Sequence, residues 1–220
     1  MGLLNSLHLK LALLVTTTAA ALAAATEAHT NPVCNYTCGN VSIPYPFGTS
    51  EKCCRDEKFF LNCTTVTSPS SGEATKQLIS GDNIPVLNIS LDPPELIVSG
   101  GVTKHCYNST DDSYLNTMEF VNFSISNNKN RITVVGCDTF ALITDLEGTF
   151  TTGCVSSCSK ETRFKEGACS GVGCCETCFP EAIRNYNMTL SSFNNYTKVH
   201  DFNRCGYAFV AKDTFQLNYY

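Results

Sequence analysis

Fourteen cysteines in 220 residues constrain this chain more than any other feature. They are Cys34, Cys38, Cys53, Cys54, Cys63, Cys106, Cys137, Cys154, Cys158, Cys169, Cys174, Cys175, Cys178 and Cys205. Reducing compartments do not keep disulfides, so such a density belongs outside the cytosol. The even count suits seven bridges, and all fourteen residues are expected to be disulfide-forming. Alkylation of denatured, unreduced protein is then expected to label none of them. Adjacent Cys53–Cys54 and Cys174–Cys175 must each reach separate partners, because a bridge between chain neighbours is strained. The spacing leaves the connectivity open. Zinc is the rival, since Cys175-x-x-Cys178 has ligand spacing, but no clean second pair accompanies it. The expected reading is no metal and no cofactor.

The start of the chain agrees with export. Lys10 precedes an apolar run from Leu11 to Ala25, and Ala23 and Ala25 give the small-x-small pattern of a cleavage site. Residues 1–25 are read as a signal peptide, with cleavage after Ala28 the alternative. The run falls short of the roughly 20 residues a membrane span needs. The later stretch Ile132–Leu146 is interrupted by Cys137, Asp138 and Asp145. Eight N-x-S/T sequons, at Asn35, Asn40, Asn62, Asn88, Asn108, Asn122, Asn187 and Asn195, mark a glycoprotein. Cys63 is the middle residue of the Asn62 sequon, so early bridging there would block it. The net charge of −5 argues against a general nucleic-acid binder. Tryptophan, the commonest sugar-stacking residue, is absent.

Strand signals dominate the rest of the chain. Pro85–Leu91 alternates, which places Leu87, Ile89 and Leu91 on one face and Asn88 on the other. Val121, Phe123 and Ile125 alternate likewise, opposite Asn122. Leu96–Val98, Ile132–Val135, Phe140–Ile143 and Tyr207–Val210 are further short strand candidates. Thr67–Thr75 is a polar loop, and Pro180–Met188 suits one short helix. The fold class is mainly β: small disulfide-stapled β-rich extracellular modules with short strands and at most one or two short helices. Two cysteine-rich regions are expected, 26–107 and 108–220.

One stretch is far more specific than the rest: Cys34-Asn-Tyr-Thr-Cys38-Gly-Asn-Val-Ser-Ile-Pro-Tyr-Pro-Phe-Gly48. Pro44 and Pro46 fix φ and remove two donors. On an extended chain Tyr45 and Phe47 would fall on the same side, and Gly48 would permit the turn out. A fold-forming strand with inward aromatics competes with direct ligand contact. The stretch resembles the opening of the galacturonan-binding extracellular domain of plant wall-associated receptor kinases. Cys53-Cys54-Arg-Asp and Phe59-Phe-Leu-Asn-Cys63 continue the likeness. So do Asn128-Lys-Asn-Arg-Ile-Thr-Val-Val-Gly-Cys137-Asp-Thr-Phe-Ala141, Gly153-Cys154-Val-Ser-Ser-Cys158, Cys169-Ser-Gly-Val-Gly-Cys174-Cys175 and Cys205-Gly-Tyr-Ala-Phe-Val210. Cys178 departs from the family pattern. Family members often continue into epidermal-growth-factor-like modules, a membrane span and a Ser/Thr kinase. No Gly-rich nucleotide loop, His-Arg-Asp or Asp-Phe-Gly occurs here, so a kinase-less ectodomain with no membrane span is expected.

The resemblance implies binding of de-esterified pectin in the plant cell wall, where the product would be secreted. Regular carboxylates need Arg and Lys to meet them, and an acidic protein must gather those into a local patch. Lys52, Arg55 and Lys58 surround Cys53–Cys54 but face Glu51, Asp56 and Glu57. Lys129 and Arg131 lie in a window, Phe120 to Cys137, that holds no acid. Lys160, Arg163 and Lys165 face Glu161 and Glu166 and form a third candidate with a net of +1. Lys104 and His105 join Lys129 and Arg131 as the cleanest stretches by charge, and Tyr45 is an aromatic contact. Reversal of Lys129 and Arg131 is expected to cost more affinity than reversal of Lys52 and Lys58. His105 and His200 would add charge on acidification. Two other classes compete. A protein-interaction module, a decoy or co-receptor for a peptide or another receptor, would show an exposed apolar patch. A hydrolase would need a site, and no G-x-S-x-G or HExxH is present; the chain is read as a non-enzyme.

Overall fold

Alternating and β-branched residues extend the chain into fourteen strands among the described residues of the computed structural model, 33–81, 83–110, 115–161 and 169–217. The expected signal peptide lies outside the described residues. In chain order the strands are β1 (Thr37–Cys38), β2 (Val41–Ser42), β3 (Asn62–Thr67), β4 (Ala74–Ser80), β5 (Ile84–Leu91), β6 (Pro94–Val98), β7 (Val102–Cys106), β8 (Leu115–Glu119), β9 (Asn130–Val135), β10 (Thr139–Thr144), β11 (Thr151–Ser156), β12 (Cys174–Cys178), β13 (Asn185–Ser191) and β14 (Cys205–Lys212). The sole helical element among the described residues is a 3₁₀ turn, Glu57–Phe59, whose preceding Asp56 accepts from the Lys58 N–H. The expected fold class therefore holds: the protein is mainly β with antiparallel sheets.

β3, β4, β5 and β6 form a meander of four strands beside the small β1–β2 ribbon. The polar stretch expected as a loop is the tip of the β3–β4 hairpin. Under this sheet lie Cys38, Ile43, Phe47, Leu61, Leu78, Val86 and Ile89. β5 does not keep its expected faces. Val86 and Ile89 are buried, whereas Leu87 and Leu91 are exposed. The reason is a bulge: Val86 opposes Val98 and Asn88 opposes Ile97, so two residues of β5 meet one of β6 and the alternation changes phase.

The remaining strands form two four-stranded sheets, in orders β11-β10-β13-β8 and β12-β9-β14-β7. Their inward residues merge into one core. Ala141, Ile143, Tyr186, Met188 and Leu190 come from the first sheet, and Ile132, Val134, Cys175 and Ala208 from the second. The two sheets thus pack face to face as a sandwich. β7 hydrogen-bonds to β14, which places 102–106 with the sandwich, although the expected boundary at 107 assigns that strand to the first region.

Two expectations fail here for physical reasons. Pro180–Met188 is not a helix, because Tyr186, Met188 and Leu190 are buried at a period of two, and β13 pairs with both β10 and β8. The segment 120–126 is not a regular strand. Phe123 leaves it to join the first core, 6.1 Å from Phe47 and 6.4 Å from Phe59, while Ile125 packs on the sandwich core. The same short segment thus plugs into both cores.

Five bridges tie these layers: Cys38–Cys63, Cys106–Cys205, Cys137–Cys158, Cys154–Cys175 and Cys169–Cys174. Cys34 and Cys53 are disulfide-bonded as well. The pair Cys174–Cys175 does reach separate partners. Cys54 and Cys178, however, are free thiols, which corrects the expectation of fourteen bridged residues. Cys178 lies on the opposite face of β12 from the bridged Cys175 and is exposed. With Cys175 in a disulfide, the Cys175–Cys178 pair cannot serve as thiolate ligands for zinc. Alkylation of denatured, unreduced protein is now expected to label Cys54 and Cys178 alone; mass spectrometry that finds neither labelled would contradict the two free thiols.

Candidate functional site

The proline-rich stretch turns rather than runs extended. The Phe47 N–H donates to the Pro44 carbonyl at 2.9 Å, which reverses the chain and separates the two rings. Phe47 is buried against Phe59 at 5.3 Å, edge to face, and Tyr45 is 66% exposed. The expected same-side placement of the rings is therefore wrong, and Tyr45 alone of the two faces solvent. Gly48 serves close approach rather than a turn, because a Cβ there would lie 2.5 Å from the Cys53 carbonyl carbon. Beside it, the Arg55 guanidinium stands 5.4 Å over the Phe59 ring and 3.6 Å from Asp56. Lys52 and Lys58 are exposed among Glu51, Asp56 and Glu57, all of them exposed as well. This corner is a surface of mixed charge.

The other expected residues part company. Lys104 on β7 sits opposite Tyr207 on β14, and Arg131 on β9 sits opposite Ala211 on β14. Tyr207 and Ala211 are four residues apart on one strand, so Lys104 and Arg131 share the outer face of that sheet. The Arg131 guanidinium is held back by the Asn130 carbonyl at 3.0 Å and the Asn127 carbonyl at 3.4 Å. His105 points to the inner face, its ring 5.5 Å from that of buried Tyr196. His200 stacks on Tyr107 at 4.6 Å and lies 3.2 Å from Asp201.

Lys129 goes elsewhere. It enters a groove of about 530 Å³ between β6 and the sandwich, with Arg184 and Lys212. Asn122, Ser124, Ser126, Asn130, Phe123 and Tyr186 are further lining residues. The window around Lys129 holds no acid in sequence, but the fold brings Glu95 against it. Glu95 takes the Lys129 ammonium on one carboxylate oxygen and the Lys212 ammonium, at 3.0 Å, on the other. Lys129 is therefore not the uncompensated cation that its window implies. Hydrogen bonds from Lys129, then from Lys212, hold the Glu95 carboxyl below the ordinary carboxylate range. The contact is thus present above that range and lost as pH falls through the lowered value. Burial pushes the Tyr186 phenol up to about 12, so it stays protonated. Among the described residues no ion pair holds Arg184, which is exposed. Three cations face one carboxylate here, a net charge of +2 in a chain whose total is −5.

Glu95, Arg184 and Lys212 escaped the sequence reading because nothing local links them; Lys212 and Glu95 are 117 residues apart. The sequon asparagines mostly suit modification. Asn35, Asn40, Asn62, Asn88, Asn108, Asn122 and Asn195 are exposed. Asn187 is half-buried, and its Oδ1 accepts from the Thr117 hydroxyl at 2.6 Å. Asn122 stands in the groove lining itself. No cluster of His, Cys, Asp and Glu among the described residues could hold a metal ion, and none of their helices is long and apolar enough to cross a membrane.

Residues 34–99 match the family described as wall-associated receptor kinase galacturonan-binding. The chain carries a galacturonan-binding domain of the wall-associated receptor kinase family. Wall-associated receptor kinase 2 of Arabidopsis thaliana is 38% identical over 186 residues, which cover 82% of this chain and 24% of that protein. Wall-associated receptor kinase 3 of Arabidopsis thaliana is 33% identical over 200 residues, covering 82% and 25%. Wall-associated receptor kinase-like 6 of Arabidopsis thaliana is 34% identical over 164 residues, covering 67% and 25%. The chain spans about a quarter of the length of these curated relatives. The similarity extends beyond residues 34–99, covers the ectodomain portion of these relatives and does not reach their kinase region. No solved structure matches. The groove takes Glu95 from within the matched residues and its three cations from beyond them.

Proposed function

We propose that this chain is a secreted plant glycoprotein that binds de-esterified pectin, polygalacturonate, in the cell wall and does not turn it over. The observation that carries this reading is the match of residues 34–99 to the galacturonan-binding family. The groove beside β6 supplies chemistry that fits: Arg184, Lys129 and Lys212 for carboxylates, and Asn and Ser groups for hydroxyls. Esterification of the polymer removes the charge those cations meet. The contacts are partly exposed, so salt should screen them beyond about 0.15 M, where the Debye length is about 8 Å.

Titration calorimetry of the purified protein should therefore show binding to polygalacturonate, much weaker binding to the methyl-esterified polymer, and a decline with salt. Equal, salt-indifferent binding to both polymers would remove the electrostatic basis of the reading. It would favour the interaction-module alternative, for which Val102, Phe209 and Phe215 around a shallow apolar hollow offer a surface. Release of oligogalacturonides during the titration would place the protein among hydrolases instead.

A further inference from the structure

We propose that Glu95 is a built-in competitor for the acidic ligand, occupying a two-lysine claw that would otherwise take a uronate carboxylate. The inference rests on the polygalacturonate reading and concerns how that site is regulated. Each Glu95 carboxylate oxygen meets a different ammonium, Lys129 on one side and Lys212 on the other. A galacturonate carboxylate offers the same two oxygens on the same spacing, so the claw can hold either but not both. The Glu95 side chain is 17% exposed, while those of Lys129 and Lys212 are 38% and 42% exposed. The competitor is thus the covered member, and the ammonium groups still open toward solvent.

The consequence is selection by chain length. Glu95 is fixed to β6 and competes at the high effective concentration of a tethered group. A single uronate, with one carboxylate to offer, must displace it unaided. A polygalacturonate chain first engages Arg184, whose guanidinium is not spoken for among the described residues, and then brings its next carboxylates to the claw as a tethered rival. The tether cancels the advantage of Glu95 for long chains and leaves it intact against short ones.

The test compares wild type with Glu95→Gln, which keeps the size and one of the two acceptor oxygens but deletes the charge and turns an amide donor toward the other ammonium. The ligands are trigalacturonate and long polygalacturonate. Wild type should bind the polymer and discriminate strongly against the trimer. E95Q should bind the trimer about twofold to fivefold more tightly, the scale of one partly exposed ion pair, and should gain less for the polymer. A wild type that binds the polymer alongside an E95Q that binds the trimer no better would overturn the competitor role and leave the ligand assignment standing. A wild type that ignores the polymer would end both. A second measurement needs no substitution: with lysines carrying ¹³C-methyl labels, long polygalacturonate should move the Lys129 and Lys212 resonances of the wild type. Shifts confined to other lysines would also overturn the proposal.

Discussion

Replacing Cys106 and Cys205 together with alanine is expected to cost about 4–5 kcal/mol, the largest loss among the sandwich bridges with resolved partners, on the loop-entropy account of disulfides. Their separation is 99 residues, and the bonds inside that loop shorten its effective length only in part. Joint replacement of Cys169 and Cys174, only 5 residues apart, should cost about 2 kcal/mol on the same account. The position of Cys106–Cys205 in the fold reinforces the contrast. The two residues sit opposite each other across β7 and β14, so the bridge fastens an edge strand to the sheet. In a domain of this size each kcal/mol moves the thermal midpoint by roughly 2–4 °C. Differential scanning calorimetry should then give a drop of roughly 10–20 °C for the first variant and less than half of that for the second. Equal drops would show that native packing around each bridge, and not loop length, sets its contribution.

How much of the fold was legible in the sequence depended on how local the deciding interaction is. β6, β9, β10 and β14 are short runs of apolar and β-branched residues, and their neighbours in space do not alter that signal. Helix over Pro180–Met188 failed because β13 is decided by two partner strands, β10 and β8, which the local residues do not announce. The faces of β5 were misassigned because a bulge depends on the register with β6. Even the most specific stretch shows the limit. Its residues identify the family, but the side taken by Tyr45 follows from a turn closed by one backbone hydrogen bond.

The site was less legible than the fold, for the same reason. Charge windows along the chain count only neighbours in sequence. Lys129 looked free of acids because Glu95 is 34 residues away in sequence, on a strand of another sheet. Arg184 has Glu181 as its nearest acid in sequence, and only the fold carries it to the groove that also receives Lys129 and Lys212.

That rearrangement changes which substitution should matter for ligand binding. Arg184→Glu is expected to weaken polygalacturonate binding about tenfold, since it swaps an exposed attraction for a repulsion at two unit charges of difference, each worth up to about 1 kcal/mol. Arg184 is the groove cation with no ion pair among the described residues, and so its whole charge is available to a ligand. Lys129 and Lys212 already share Glu95, and each therefore offers less. Lys52 and Lys58 lie outside the groove, in a corner where Glu51, Asp56 and Glu57 surround them. Joint reversal of those two lysines should leave affinity within about twofold, because exposed charges in such surroundings are largely screened. Arg131, held by two backbone carbonyls on the outer face of the sheet, should fall between the two. Binding measured at low salt would show the order most clearly. Thermal midpoints near that of the wild type would confirm that folding is intact, since none of the four side chains is buried. A larger loss from Lys52 and Lys58 than from Arg184 would move the ligand from the groove to the proline-rich corner, where exposed Tyr45 and Arg55 would become the contacts to probe.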